Sequence, residues 1–270
     1  MHSTYSAQLV SIEGADALAF AQAQFSSNLD ALADGHWQFS AWLDAQGRVR
    51  ALFHLLRLDQ QHLCLLLRGG DAADLAAQMQ RFVLRAKVRI MAQPPLLLGT
   101  GDAMASHTFV QQTDTITLGC GSHSLVVASR GDDDWRLPEL RACWPWLPDA
   151  LLGQLLPASL GLQALGATAL DKGCYPGQEI VARLHYRGGH KRHLGRVRLS
   201  HMLPPGSELR IENQPPIQLL DVMPINGFAE ALAVVHEDIA PLLDEGIHAL
   251  HADRSVLVHG LEHATCTPAR

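Results

Sequence analysis

The run D-K-G-C-Y-P-G-Q-E-I-V-A-R-L-H-Y-R-G-G-H-K-R, residues 171–192, gathers side chains that can do chemistry. Cys174 follows Gly173 and stands three residues before Gly177, and Lys172 lies two residues upstream of the thiol. Glycines at such positions let backbone N–H groups come close to a ligand or a thiolate, and Pro176 stiffens the turn. Gln178 and Glu179 are placed to open a helix whose Ile180, Val181 and Leu184 face a core. A thiol just before a helix N-terminus feels the positive end of the dipole, and a nearby ammonium adds to it. Both effects favour thiolate, so Cys174 is a candidate nucleophile or transient ligand. The competing reading is a small apolar filler in a tight turn, a frequent fate of free cysteines.

Downstream, Arg183, Arg187, Lys191, Arg192, Arg196 and Arg198 occur without an intervening Asp or Glu, joined by His185, His190 and His193. This basic strip within an acidic chain points to an anionic partner: a carboxylate tail, a phosphate or a weak RNA contact. The alternative is a solvated strand face. The other cysteines are less promising. Cys64, in H-L-C-L-L-L, reads as core, and Cys120, Cys143 and Cys266 lack a setting of cation and glycine. Five cysteines with no close pair argue against a disulfide framework, a zinc knuckle or a resident iron–sulfur cluster. His259 with His263, and His248 with His251, do not match H-E-x-x-H, so no metal site is expected. No Gly-x-Ser-x-Gly elbow and no Walker loop appears, and the missing G-x-G-x-x-G turn removes the usual dinucleotide hypothesis.

The chain that must position these residues has 270 of them, 47% hydrophobic and 18% charged, with a formal net charge of −6. It can build substantial cores, and its charge argues against wholesale nucleic-acid binding. No apolar run nears the roughly 18 residues of a membrane span, and the start lacks the charged and apolar regions of a signal peptide. A cytoplasmic location without membrane contact is expected.

Hydrophobic periodicity predicts a helix over 15–25, a strand over 36–43, a turn at Asp44–Gly47 and strands over 48–58 and 62–67. A helix follows over 71–84, with Asp71 or Asp74 at its start, then a strand over 87–91. This is an α+β pattern: a mostly antiparallel sheet backed by helices. L-L-L-G-T-G, D-T-I-T-L-G and H-S-L-V-V-A-S open a second unit, which closes with a short helix around Pro138 and the cysteine motif. Beyond Leu194, short strands divided by Pro, Gly and Asn turns predict a small barrel or sandwich. The expected division is 1–92, 93–190 and 191–264, with a frayed tail from 264.

The octapeptide K-G-C-Y-P-G-Q-E, Lys172 to Glu179, resembles the signature of YgfZ-type folate-binding proteins, relatives of the aminomethyltransferase T-protein of glycine cleavage. Its flanks agree: L-Q-A-L-G-A before it (Leu162 to Ala167) and V-A-R-x-x-Y-R-G-x-x-K-R after it (Val181 to Arg192). So do Gln22–Gln24 and D-A-Q-G-R at Asp44 to Arg48. The resemblance implies a three-domain aminomethyltransferase-like fold with a C-terminal β-barrel around tetrahydrofolate or another reduced folate. It implies a role with client or assembly proteins in making or repairing iron–sulfur enzymes, including those that modify tRNA. It assigns the acting residues to Cys174 and Lys172. It places Trp135 at the folate, where an aromatic face can stack on a pterin. Tyr175, Gly177, Gln178, Glu179, Arg183 and Arg187 are the further folate-binding candidates.

Three departures narrow this. The family's Q-G-Q-x-T-x-D is here Gln22-Ala23-Gln24-Phe25-Ser26-Ser27-Asn28, and its P-Q-x-x-N-L is Pro157-Ala158-Ser159-Leu160-Gly161-Leu162. After the glycine of the central hairpin, Gly47-Arg48-Val49-Arg50-Ala51-Leu52 lacks the acid that the aminomethyltransferase branch uses. The expectation is therefore a folate-binding accessory protein rather than a folate-dependent one-carbon transferase, with a folate-free RNA-binding adaptor as a third reading.

Overall fold

The structure, a computed structural model, describes residues 5–252 and 254–261. Cys266, His263 and the tail from 264 lie outside the described residues, as does the end of the third expected unit.

The first sheet grows from near-continuous apolar runs. Strands β1 (Ser6–Ala7) and β2 (Leu9–Glu13) precede helix α1 (Ala17–Gln24), which is followed by β3 (His36–Leu43), β4 (Val49–Arg57) and β5 (His62–Leu67). Helix α2 (Ala72–Gln80) and β6 (Arg89–Ala92) complete the unit. Strand order is β3-β4-β5-β2-β6, antiparallel throughout. In β5, Leu63, Leu65 and Leu67 meet the helices while Cys64 and Leu66 enter the core on the other face. A strand covered on both sides has no reason to alternate, which is why H-L-C-L-L-L reads as one apolar block. Asp71 caps α2, its carboxylate accepting from the Asp74 N–H at 2.8 Å. Helix α2 stops at Gln80, short of the predicted Leu84. Its last N–H groups, on Phe82 and Val83, bond three residues back, and the chain turns with Phe82 and Leu84 facing solvent.

A second five-stranded sheet follows: β7 (Leu96–Gly101), β8 (Phe109–Gln112), β9 (Thr115–Gly119) and β10 (Ser124–Ala128). Its order is β1-β7-β10-β9-β8, so the chain's first strand belongs here and not to the first sheet. Helix α3 (Arg136–Arg141), with Pro138 in its first turn, and helix α4 (Gln178–Arg187) flank an irregular stretch. The last sheet contains β11 (Arg192–Leu199), β12 (Glu208–Leu209), β13 (Ile217–Ile225) and β14 (Phe228–His236). Helix α5 (Ala240–Glu245), β15 (Ile247–His251) and β16 (Arg254–Gly260) complete it. Its order is β12-β13-β14-β11-β16-β15. Arg210 and Leu250 exchange backbone hydrogen bonds at 2.9 and 2.7 Å, drawing the two edges together into a nearly closed barrel. The α+β class and the small C-terminal barrel hold as expected.

One core joins all of this. Trp37, Phe39, Leu52 and Leu66 of the first sheet meet Leu98, Leu118 and Leu125 of the second, and Leu220, Leu232 and Val234 of the third. Arg68, only 1% exposed, lies inside it. Its guanidinium donates to Glu139 Oε2, Pro145 O and Trp144 O, each at 2.8 Å, and lies over the Trp146 ring. These three hydrogen bonds tie the end of β5 to α3 and the turn after it, and Nη1 also lies 3.4 Å from His54 Nε2 of β4. Breaking a buried pair leaves an uncompensated charge. Arg68→Met is therefore expected to lower unfolding free energy by about 3–5 kcal/mol, read as a fall in urea midpoint at unchanged m-value.

Candidate functional site around Cys174

The cysteine loop has no strand or helix of its own and is held by polar contacts from its neighbours. The chain leaving α1 supplies most of them. Ser26 Oγ donates to Ala167 O at 2.6 Å and accepts from Ala41 N, and the Ala169 N–H donates to Ser26 O at 2.8 Å. Tyr175 is buried, with its hydroxyl donating to Ala169 O at 3.0 Å. On the far side Gly177 takes φ +76° and caps α4. It abuts the β3–β4 turn, where a Cβ would lie 2.5 Å from Asp44 O and 2.7 Å from the Gly47 Cα. Glycine is required at 177 both for its left-handed backbone and for that close approach.

Lys172 is the main anchor. Its ammonium donates to Phe25 O at 2.8 Å and Ser27 O at 2.7 Å, and sits 5.3 Å from the centre of the Tyr175 ring. Partial burial pulls its pKa down to about 8, opposed by the attraction of Asp30. The cation expected to activate the thiol is thus committed to two carbonyls, and its first task is to fasten the loop.

Cys174 is exposed. With Gly173 it forms one side of an open cleft of about 550 Å³. The rest of the wall is α1 and its flanks (Ala15, Leu18, Ala19, Gln22, Ala23), Asp30, and Gln60 and Gln61 of the β4–β5 turn. Gln22 is already engaged, donating to Asn28 Oδ1 and Asp30 Oδ2 and accepting from Leu29 N. Gln60, Gln61 and the rest of the Asp30 carboxylate, beyond the oxygen that accepts from Gln22, can meet a polar ligand, and the alanines and Leu18 offer an apolar strip.

The remaining candidates are spread out. Trp135 is 1% exposed, packed edge-on against Tyr5 and tilted against Trp146, with its indole N–H donating to Asp132 O. It belongs to the shared core, and no side chain on the Cys174 cleft is aromatic. Gln178 is half-buried, while Glu179, Arg183 and Arg187 lie exposed along α4. No α4 residue is buried: Ile180, Val181 and Leu184 are only partly covered, against the expectation of a core-facing stripe. They line instead a small hollow of about 200 Å³ with Pro157 and His185. The basic strip is divided by the fold. Lys191 pairs with Glu237 at 3.2 Å, Arg196 approaches Glu230 at 3.7 Å, and Arg198 stacks over Phe228.

The central hairpin has one carboxylate, Asp44, and its Oδ1 accepts from the N–H groups of Gln46 and Arg48 to build the turn. Among the described residues Cys64, Cys120 and Cys174 are free thiols, and Cys143 is disulfide-bonded. The cysteine spacing argued against a disulfide framework, and the bond at Cys143 departs from that expectation. The view that Cys120 lacks a cation and glycine is corrected: glycines flank it, and Arg68 lies close enough to pull down the thiol pKa that burial pushes up to about 12. Arg68 comes from another strand, so local sequence does not show the contact. Among the described residues no helix is long and apolar enough to cross a membrane.

No protein-family model matches the chain. It is 27% identical over 213 residues to an uncharacterized protein of Haemophilus influenzae, covering 76% of each chain. It is 28% identical over 236 residues to the tRNA-modifying protein YgfZ of Edwardsiella ictaluri, covering 74% of this chain and 71% of that one. The YgfZ of Yersinia enterocolitica is 28% identical over 221 residues, with 69% and 67% covered. Among solved structures, the glycine cleavage system aminomethyltransferase T from Bartonella henselae aligns with TM-score 0.66. That alignment covers 97% of this chain and 85% of the other at 13% identity, and shows the fold. The resemblance to YgfZ-type proteins and the expected aminomethyltransferase-like fold both hold.

Two outcomes follow from the loop's geometry. Gly177→Ala is expected to cost about 1–3 kcal/mol of stability through backbone strain alone, measured by denaturant unfolding. The Lys172 pKa is lower in the folded chain than its ordinary 10.5. The folded state therefore carries the burial penalty in full below about 8, and the penalty is relieved as pH rises toward 10.5. Wild-type stability relative to Lys172→Met should rise across that window, seen as a widening gap in urea midpoints.

Proposed function

We propose that this chain binds a reduced folate and uses Cys174 to support the making or repair of iron–sulfur proteins, among them enzymes that modify tRNA. The observation that carries the reading is an exposed thiol on the wall of a ligand-sized cleft, within the motif shared with YgfZ-type proteins. Similarity to proteins named for tRNA modification supports the cellular setting.

The residues of the cleft suit tetrahydrofolate. Its volume, about 550 Å³, is in the range of small-molecule sites. A pterin presents an amino-oxo edge of donors and acceptors and two apolar faces. The Asp30 carboxylate and the Gln60 and Gln61 amides can meet the edge, and Leu18 and Ala19 can cover a face. Bound there, the reduced folate would supply a carrier or an electron-rich ring next to the sulfur. Arg183 and Arg187, exposed on α4, are available for the carboxylates of its glutamate tail.

Cys174 works as a ligand in passing. An iron–sulfur cluster needs several thiolates, and this loop offers one. Cys64 and Cys120 are buried and cannot join it. A single accessible sulfur fits the brief holding of iron or a cluster as cargo: the thiol proton leaves to solvent as the iron–sulfur bond forms, and the client's cysteines displace it. Cys174 stands four residues ahead of α4 in the chain, on the side of its N-terminus. The alternative, aminomethyl transfer to folate, requires a group to position or protonate a folate nitrogen. The only hairpin acid, Asp44, is spent on its own turn.

In cells lacking the wild-type protein, Cys174→Ala is expected to leave iron–sulfur enzyme activities under oxidative stress at the level of the deletion. Activities restored to the wild-type level would remove the thiol from the function. By calorimetry, the wild-type chain should bind tetrahydrofolate, and Asp30→Asn should bind it about 10–100-fold more weakly, as loss of a charge-assisted hydrogen bond implies. Absence of heat with the wild type would remove the ligand.

A further inference from the structure

We infer that Cys120, His123 and Glu139 form a zinc site, separate from the Cys174 cleft, that fastens the β9–β10 hairpin to α3. The thiol and imidazole come from the hairpin turn Cys120-Gly121-Ser122-His123. That turn is closed by a hydrogen bond from Cys120 N to His123 O at 3.0 Å, with Gly121 at φ +85°. The carboxylate comes from α3. The three side chains offer ligand atoms that all lie within 4.8 Å of one another. All three residues are buried: Glu139 is 1% exposed, His123 6% and Cys120 8%.

Two unpartnered atoms mark the centre of this cluster. His123 Nε2 and Glu139 Oε1 are buried without a hydrogen-bond partner, and they face each other at 3.8 Å. Buried polar atoms are normally satisfied, so a facing pair that is not calls for an occupant. Zinc takes thiolate, imidazole nitrogen and carboxylate oxygen at about 2.0–2.3 Å, so its tetrahedral ligands sit roughly 3.3–3.7 Å apart. The His123–Glu139 separation is already close to that.

The surroundings are those of a metal site's supporting shell. Arg68 Nη1 holds Glu139 Oε2 at 2.8 Å, which fixes the carboxylate and turns Oε1 toward the cluster. Ser122 Oγ lies 3.3 Å from His123 Nδ1, leaving Nε2 as the coordinating nitrogen. Such partners set ligand orientation and tautomer. The acceptor set of one thiolate, one imidazole and one carboxylate is that of a borderline cation and not of magnesium or calcium.

The test uses the full chain carrying Cys174→Ala, so that the exposed thiol cannot bind the probe. After metal stripping, this protein is expected to take up one zinc ion, and its cobalt(II) form to show a near-ultraviolet thiolate-to-metal band. Adding Cys120→Ser should remove that band and weaken zinc binding at least about tenfold, and His123→Gln should weaken it similarly, with far-ultraviolet circular dichroism confirming that the variants are folded. No zinc uptake by the Cys174→Ala protein, a cobalt spectrum without the thiolate band, or unchanged affinity in folded Cys120→Ser would each overturn the site. If the ligand variants fail to fold, the cobalt spectrum of the Cys174→Ala protein decides.

Discussion

The Lys172 ammonium, buried against the carbonyls of Phe25 and Ser27, is the contact on which the placement of the thiol depends. The segment around Cys174 has no ladder hydrogen bonds to hold it. It is fixed to the exit of α1 by Lys172 and Ser26, to Ala169 by the Tyr175 hydroxyl, and to the β3–β4 turn by the close approach of Gly177. Partial desolvation of a cation is unfavourable, as its lowered pKa records. Two charge-assisted hydrogen bonds oppose that cost. The fold thus spends its motif lysine on positioning, and leaves the sulfur free on the surface.

Rigidity behind the loop comes from the shared core. The first sheet is covered on both faces, by α1 and α2 on one side and by the second and third sheets on the other. Ion pairs connect the segments, Arg68 with Glu139 inside that core, and Arg136 with Asp221 and Arg141 with Glu230 nearer the surface. The cleft therefore lies on a rigid frame, with α1 as one wall and a loop clamped to that helix as another.

Much of this was legible in the sequence where the signal is local. The strand at His36–Leu43 and the turn at Asp44–Gly47 followed from alternation and turn chemistry, and of Asp71 and Asp74, both offered for the start of α2, Asp71 is the cap. The octapeptide located the exposed thiol and the helix after it. What was lost depends on distant partners. Leu9–Glu13 is too short to register by period, and β1 joins a sheet assembled some 90 residues later. Trp135 has the composition of a ligand platform, yet Tyr5 and Trp146 enclose it in the core. The spacing of Cys120 and His123 is visible, but Arg68 and Glu139, which give it meaning, arrive from β5's end and α3. The basic strip read as one surface, while Glu230 and Glu237 neutralise part of it after folding.

Thiol alkylation of the native chain reports both whether the Cys174 sulfur is accessible and whether the cleft it borders is the one proposed to hold a reduced folate. Mass spectrometry should show Cys174 alkylated well ahead of buried Cys64 and Cys120, and saturating tetrahydrofolate should slow the reaction at Cys174 several-fold. A rate at Cys174 that stays the same when tetrahydrofolate is bound would place the ligand elsewhere and contradict the shared site.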